Sequence, residues 1–242
     1  MSEEIWLTRL FNDHLAGFGN LLLSIFRQPE SARPWANFIV MQLLVVAIIV
    51  VLFAILKPKL SVDKPGKLQQ TFELIYEFVN GQADDMVGHD GHKHTILFGT
   101  LFVFILLCNL IGIIPGLQSP TQVHYVPAGC AIVAFVYYNV VGIVKNGPLK
   151  YLGHFAGPIW WMSPLMFIIE IISHLARPLS LTIRLFANMY AGEQVTLVFL
   201  SLTYFIAPVI FMGLHVFVSL LQAYIFMLLT MMYVGGAVAE EH

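Results

Sequence analysis

NFIVMQLLVVAIIVVLFAIL, Asn37 to Leu56, is an unbroken apolar run without one charged residue. A helix rises about 1.5 Å per residue, so about 20 such residues cross a hydrocarbon core of about 30 Å. The composition points the same way. Of 242 residues 58% are hydrophobic and 11% charged, with a mean hydropathy of +0.80, against about 25% charged in a soluble domain. Lys plus Arg number 12 and Asp plus Glu 14, for a net charge of −2. No basic surface is left to hold a nucleic-acid backbone, and nucleic-acid binding is excluded. The chain is expected to be an all-α integral membrane protein.

Outward from that run, Lys57, Lys59, Lys64 and Lys67 follow it, whereas Arg9, Arg27 and Arg33 before it are mixed with acids. The positive-inside rule places the following segment in the cytoplasm and the N-terminus outside. Glu3 and Glu4 replace a basic leader, and no small-residue cleavage site follows the apolar stretch from Leu15 to Phe26, so a cleaved signal peptide is not expected. Residues 65–87 space Leu68, Phe72, Ile75, Val79 and Met86 at helical steps with Gln69, Glu73 and Glu77 between them. Such a helix lies on the membrane surface or packs on partner protein; periodicity allows both. Further spans are expected over 95–114 and 126–144, with Lys145 and Lys150 again marking the cytoplasmic side. The loop between them, GLQSPTQVHYVP, carries no lysine, arginine or carboxylate, as suits an external turn.

Two segments, 160–200 and 204–238, are far longer than a perpendicular crossing needs. Pro164, Pro178 and Pro208 offer breaks, but steep tilt is the cheaper answer. The expected organisation is an external or interfacial segment over 1–36 and one membrane domain over 37–242, with about five embedded helices besides the interfacial one. Five crossings from an external N-terminus put the final AEEH in the cytoplasm. Cys108 and Cys130 sit in apolar runs as packing residues. In HDGHKH, His89, His92 and His94 lack a second ligand pair and read as a solvated loop rather than a metal site.

The segment 160–200 holds Glu170, His174, Arg177, Arg184 and Glu193, each costing about 2.5 to 3.5 kcal/mol at bilayer depth. Positions 170, 174, 177, 181, 184 and 188 step by four and three along one helical face, and all but Leu181 are polar. The last segment repeats the device with His215, Ser219, Gln222, Thr230 and Tyr233. Successive polar-striped helices read as the walls of an ion path. Interhelical polar contacts that merely join two helices remain the bland alternative. Haem ligation would need facing axial histidines, which neither segment offers at suitable depth, and no nucleophile elbow occurs.

The runs ISHLARPLSLTIRLFANMYAGE, Ile172 to Glu193, and HVFVSLLQAYIFMLLTMMY, His215 to Tyr233, resemble subunit a of F-type ATP synthases. The likeness extends through PGKLQQTFELIYEFVNG at Pro65 to Gly81 and NLIGIIPG at Asn109 to Gly116, leaving about the first thirty residues unmatched. The resemblance implies that Arg184 is the family's essential arginine, with Asn188 and Gln222 as its polar neighbours. It further implies Glu193 and His215 in an outer half-channel and Glu170, with His174, nearer the cytoplasmic path. Between Pro120 and Ala128, where many relatives carry Asn and Asp, this chain reads TQVHYVP, with His124 as the substitute. Implied partners are a ring of c subunits with buried carboxylates, peripheral-stalk b subunits, indirectly a peripheral ATPase, and the bilayer of a bacterial inner membrane. No cofactor or metal is implied. A secondary transporter would show two related halves with interrupted helices, and no repeat is visible.

Overall fold

The computed structural model describes residues 4–25, 27, 29, 31–62, 64–88, 90–114, 116–147, 163–202 and 206–238. Among them the regular structure is entirely helical: α1 (Trp6–Ile25), α2 (Asn37–Leu56), α3 (Lys67–Val87), α4 (Thr95–Ile111), α5 (Tyr125–Asn146), α6 (Ser163–Leu202) and α7 (Ile206–Val238), with three short 3-10 turns between. The chain is an integral membrane protein. The apolar helices α2, α5, α6 and α7 are long enough to cross a bilayer. The fifth expected span is shorter than its sequence range, because α4 ends at Ile111 and the chain turns through Gly112 to Ile114. Trp160, Tyr204, Lys150, His89 and the terminal AEEH lie outside the described residues.

The N-terminal segment is more structured than its composition announced. Within α1 the backbone departs from helical geometry at Leu15, and the Leu15 carbonyl accepts from Trp35 Nε1 at 2.9 Å. Asn12 exchanges two hydrogen bonds with the Trp35 backbone, at 3.0 and 3.1 Å. Together they fold α1 back on the start of α2.

Helix α7 is the centre of the bundle and packs against α3, α4, α5 and α6. The core joins Phe98, Ile105, Ala134, Tyr138, Leu185, Met189, Phe226, Met227 and Met231. Its methionines fill an irregular multi-helix junction that stiffer side chains would fit less well. The amphipathic α3 packs within its own chain, on α4 and α7. Its buried face runs through Gln69, Val79 and Ala83, while Leu68 and Met86 from the expected apolar stripe are exposed. At Gly235 a Cβ would collide with the Met86 carbonyl, so the glycine is what lets α7 approach the end of α3. Past α3, Asp90 binds Lys93 at 2.7 Å and reaches Lys145 at 3.8 Å, and the Lys93 ammonium holds its carboxyl below the usual carboxylate range. His94, from the same loop, meets the Tyr137 hydroxyl at 2.7 Å. Cys108 and Cys130 are buried free thiols.

At 40 and 33 residues, α6 and α7 would extend about 60 and 50 Å. Helix α6 runs on through Pro178. Much of its apolar surface, including Ile172, Leu175, Leu179 and Ile183, is uncovered by the rest of the chain.

Candidate functional site

Helices α5 and α7 converge on the polar stripe of α6, and each group in it is held differently. Arg177 Nη2 lies 3.8 Å from Glu170 Oε1. Its guanidinium sits over the rings of Tyr233 and Tyr138, 5.2 and 5.9 Å from their centroids, within cation–π reach. His174 is buried against α5, with Nε2 at 2.9 Å from Asn139 Oδ1 and 3.1 Å from the Tyr138 hydroxyl. Leu181, the apolar member of the stripe, is the residue that packs into the core. That explains its place in an otherwise polar series.

One turn further on, Arg184 donates through Nη2 to Ser180 Oγ at 3.3 Å. Among the described residues no carboxylate lies within ion-pair distance of this guanidinium. The contrast with Arg177 is sharp. An unneutralised cation on a membrane helix is costly, and arginine cannot escape by losing its proton. Asn188 Nδ2 then donates to Gln222 Oε1 at 2.8 Å, joining α6 to α7.

Toward the C-terminal half of α6, His215 is buried against Gly192, where a Cβ would lie 2.6 Å from the imidazole Nδ1. The ring faces the Gly192 backbone. Glu193, the next residue, is partly buried and, among the described residues, forms no hydrogen bond or ion pair with His215, although both stand at one level of the bundle. Ser219, between His215 and Gln222, is tied to a second polar chain. Asn109 Nδ2 donates to the Ser219 carbonyl at 3.2 Å, Thr121 Oγ1 to Asn109 Oδ1 at 2.7 Å, and Ser119 and Thr121 hydroxyls meet at 2.7 Å. His124, expected near this region, packs at a tilt on Tyr125 and meets Phe186 on α6 in a T-shaped contact, 6.2 Å between centroids.

Tyr138, Asn139, Ser180 and the chain from Asn109 to Ser119 were not singled out from the stripe periodicity. The amide of Asn139 within an apolar helix was a signal that could have found it, since an amide at that depth demands a partner.

The sequence pattern described as ATP synthase A chain matches residues 39–235. The chain belongs to that family. An ATP synthase subunit a of Solibacter usitatus is 67% identical over 233 residues, covering 96% of this chain and all of the relative. Another, from Koribacter versatilis, is 47% identical over 244 residues and covers both chains fully. One from Geobacter sulfurreducens is 44% identical over 178 residues, 74% of this chain and 77% of its own. The family pattern leaves out α1, but the Koribacter relative, aligned over the whole chain, extends through it. As an ATP synthase A chain the protein is a membrane subunit of that synthase.

Proposed function

We propose that the chain is the proton-translocating stator subunit of a rotary F-type ATP synthase, lying against a ring of c subunits in a bacterial plasma membrane. The observation that carries this reading is the Arg184 guanidinium, which lacks a carboxylate partner among the described residues although Arg177, two turns away, has one. The missing counter-charge is supplied by the membrane-buried carboxylate of each passing c subunit. Guanidinium stays protonated, so it acts as a fixed charge and relays no proton itself. A carboxylate beside it is favoured in its ionised form; the same carboxylate facing lipid is favoured neutral. Each ring acid therefore releases its proton near Arg184 and carries one elsewhere.

Rotation follows only if the two access paths are offset, because one continuous water file would dissipate the gradient. Glu193 and His215 serve the outer path, Glu170 and His174 the inner one, and Asn188 with Gln222 frames Arg184 between them. The excess length of α6 and α7 is taken up by tilt along the ring surface, so that one acid meets both paths in turn. Each proton crossing supplies about 2.3 kcal/mol per 100 mV. Peripheral-stalk b subunits hold the chain static against the ring, and the ATPase sector is engaged indirectly.

The test is passive proton conductance of vesicles stripped of the peripheral ATPase. Glu193→Gln is expected to lower it by about a hundredfold or more, the scale of losing one proton-transfer group. Conductance unchanged by Glu193→Gln, His215→Gln and Arg184→Ala alike would reduce the polar stripe to interhelical glue. The proposed orientation has its own check. Single cysteines at Ser2 and His242 should be labelled by an impermeant reagent from opposite faces of oriented vesicles, and labelling of both from one face would overturn it.

A further inference from the structure

The hydrogen bonds around His174 decide which of its nitrogens handles protons. Asn139 Nδ2 lies 2.7 Å from the Phe135 carbonyl, one helical turn back. A carbonyl oxygen only accepts, so the amide nitrogen must be the atom at that end, and this settles the orientation of the side chain. Oδ1 is thereby the atom 2.9 Å from His174 Nε2. Oδ1 carries no hydrogen. The hydrogen in that bond belongs to Nε2, and the Tyr138 oxygen at 3.1 Å is a second acceptor for it. A neutral imidazole has a single N–H, which leaves the lone pair on Nδ1. The ring plane is held as well: Phe135 and Tyr138 pack edge-on against it, at centroid distances of 5.3 and 5.1 Å.

We propose that Asn139 is a positioning residue that locks His174 as the Nε2–H tautomer, so that this imidazole takes up and releases protons at Nδ1 alone. The proposal rests on the reading of His174 as an inner-path group and deepens it. A through-ring relay, with a proton entering at one nitrogen and leaving from the other, would require Nε2 to give up its hydrogen and then face Oδ1 lone pair to lone pair. Asn139 penalises that state, and of the two groups at Nε2, Oδ1 and the Tyr138 hydroxyl, only the hydroxyl has a hydrogen to offset it. His174 instead exchanges protons from one side: Nδ1 gains a proton to form imidazolium, Nε2 remains the donor to Asn139 throughout, and the proton departs from Nδ1. No ring flip accompanies the cycle. Glu170 and Arg177, on the turns either side along α6, are the charged groups that bear on the ring.

The experiment uses the complete synthase reconstituted in lipid with nitrogen-15 histidine. Solid-state spectra are taken with His174→Gln as the subtraction that isolates this ring. The wild type should show Nδ1 unprotonated and Nε2 protonated in the neutral form. Asn139→Leu should give mixed tautomers and lower proton conductance by about tenfold or more, while Asn139→Asp, which keeps an acceptor oxygen, should retain the tautomer. A wild-type Nδ1–H signal, or a tautomer unmoved by Asn139→Leu, overturns the proposal. Wild-type conductance in His174→Gln would fail differently: it removes His174 from the proton path, and with it the transport role given to Nδ1, while the spectra still read the tautomer.

Discussion

Arg184→Ala is expected to abolish both ATP-driven proton pumping and proton-driven ATP synthesis in complexes that still assemble, whereas Arg177→Ala is expected to cost far less coupling. The two arginines share a face of α6 and differ in what surrounds them. Arg177 is already answered within the chain, by Glu170 at 3.8 Å and by the rings of Tyr233 and Tyr138. Its removal unpairs a carboxylate and loosens the α5–α6–α7 junction, an effect on packing first. Arg184 touches only the Ser180 hydroxyl, at 3.3 Å, among the described polar groups. Little of the fold depends on it, so assembly should survive while the fixed charge proposed to set the ring acid's ionisation is gone. With nothing separating the two proposed half-channels, a passive leak should accompany the loss. Arg184→Lys should fail too, because an ammonium lacks the planar fork and can lose its proton when desolvated. Near wild-type ATP synthesis by assembled Arg184→Ala complexes under an imposed gradient would refute the mechanism.

How much of this was legible beforehand follows from what periodicity encodes. A single helix reports its own faces, so the stripe through Glu170, His174, Arg177 and Arg184 could be read directly, and so could the length of α6 and α7. Helix α6 continues through Pro178, in keeping with the expectation that excess length would not force a break there. Periodicity says nothing of what a face meets. The bond from Asn109 to Ser219 spans 110 positions in sequence, and neither residue type announces the other. The α3 stripe shows the same limit. Its apolar positions outnumber those that can be covered, and the helices α4 and α7 bury Val79 and Ala83 while Leu68 and Met86 stay exposed. The α4 helix fell short of its expected range because hydrophobicity continues through Gly112 to Ile114, where the backbone has already turned. Hydropathy measures solvent preference and carries no information about where hydrogen bonding changes register.

Gly192→Ala is expected to silence the outer path nearly as thoroughly as His215→Gln, with assembly retained. The added Cβ would lie 2.6 Å from His215 Nδ1, closer than the atoms can stand, and a tight 3.1 Å from Cε1. Alanine is at home in a helix, and the obstructed group is the far end of a side chain, so the imidazole can swing aside without breaking the α6–α7 contact. The fold loses little. The imidazole, however, leaves the level at which α6 delivers Glu193, and a proton relay depends on donor and acceptor within about 2.6 to 3.2 Å or one intervening water. Conductance should fall by about tenfold or more. A double-mutant cycle distinguishes this from a general weakening of the helix. If Gly192→Ala acts by moving His215, it should add almost nothing in a His215→Gln background. Glu193→Gln and His215→Gln should likewise fall short of the product of their separate losses, because two groups in series on one path can block it only once. They need not touch for this to hold. Strictly multiplicative losses for Glu193→Gln and His215→Gln would mean that the two groups act independently, and the reading of them as a series pair on one outer path would fail; a full additional loss from Gly192→Ala in the His215→Gln background would mean that it does not act through the imidazole.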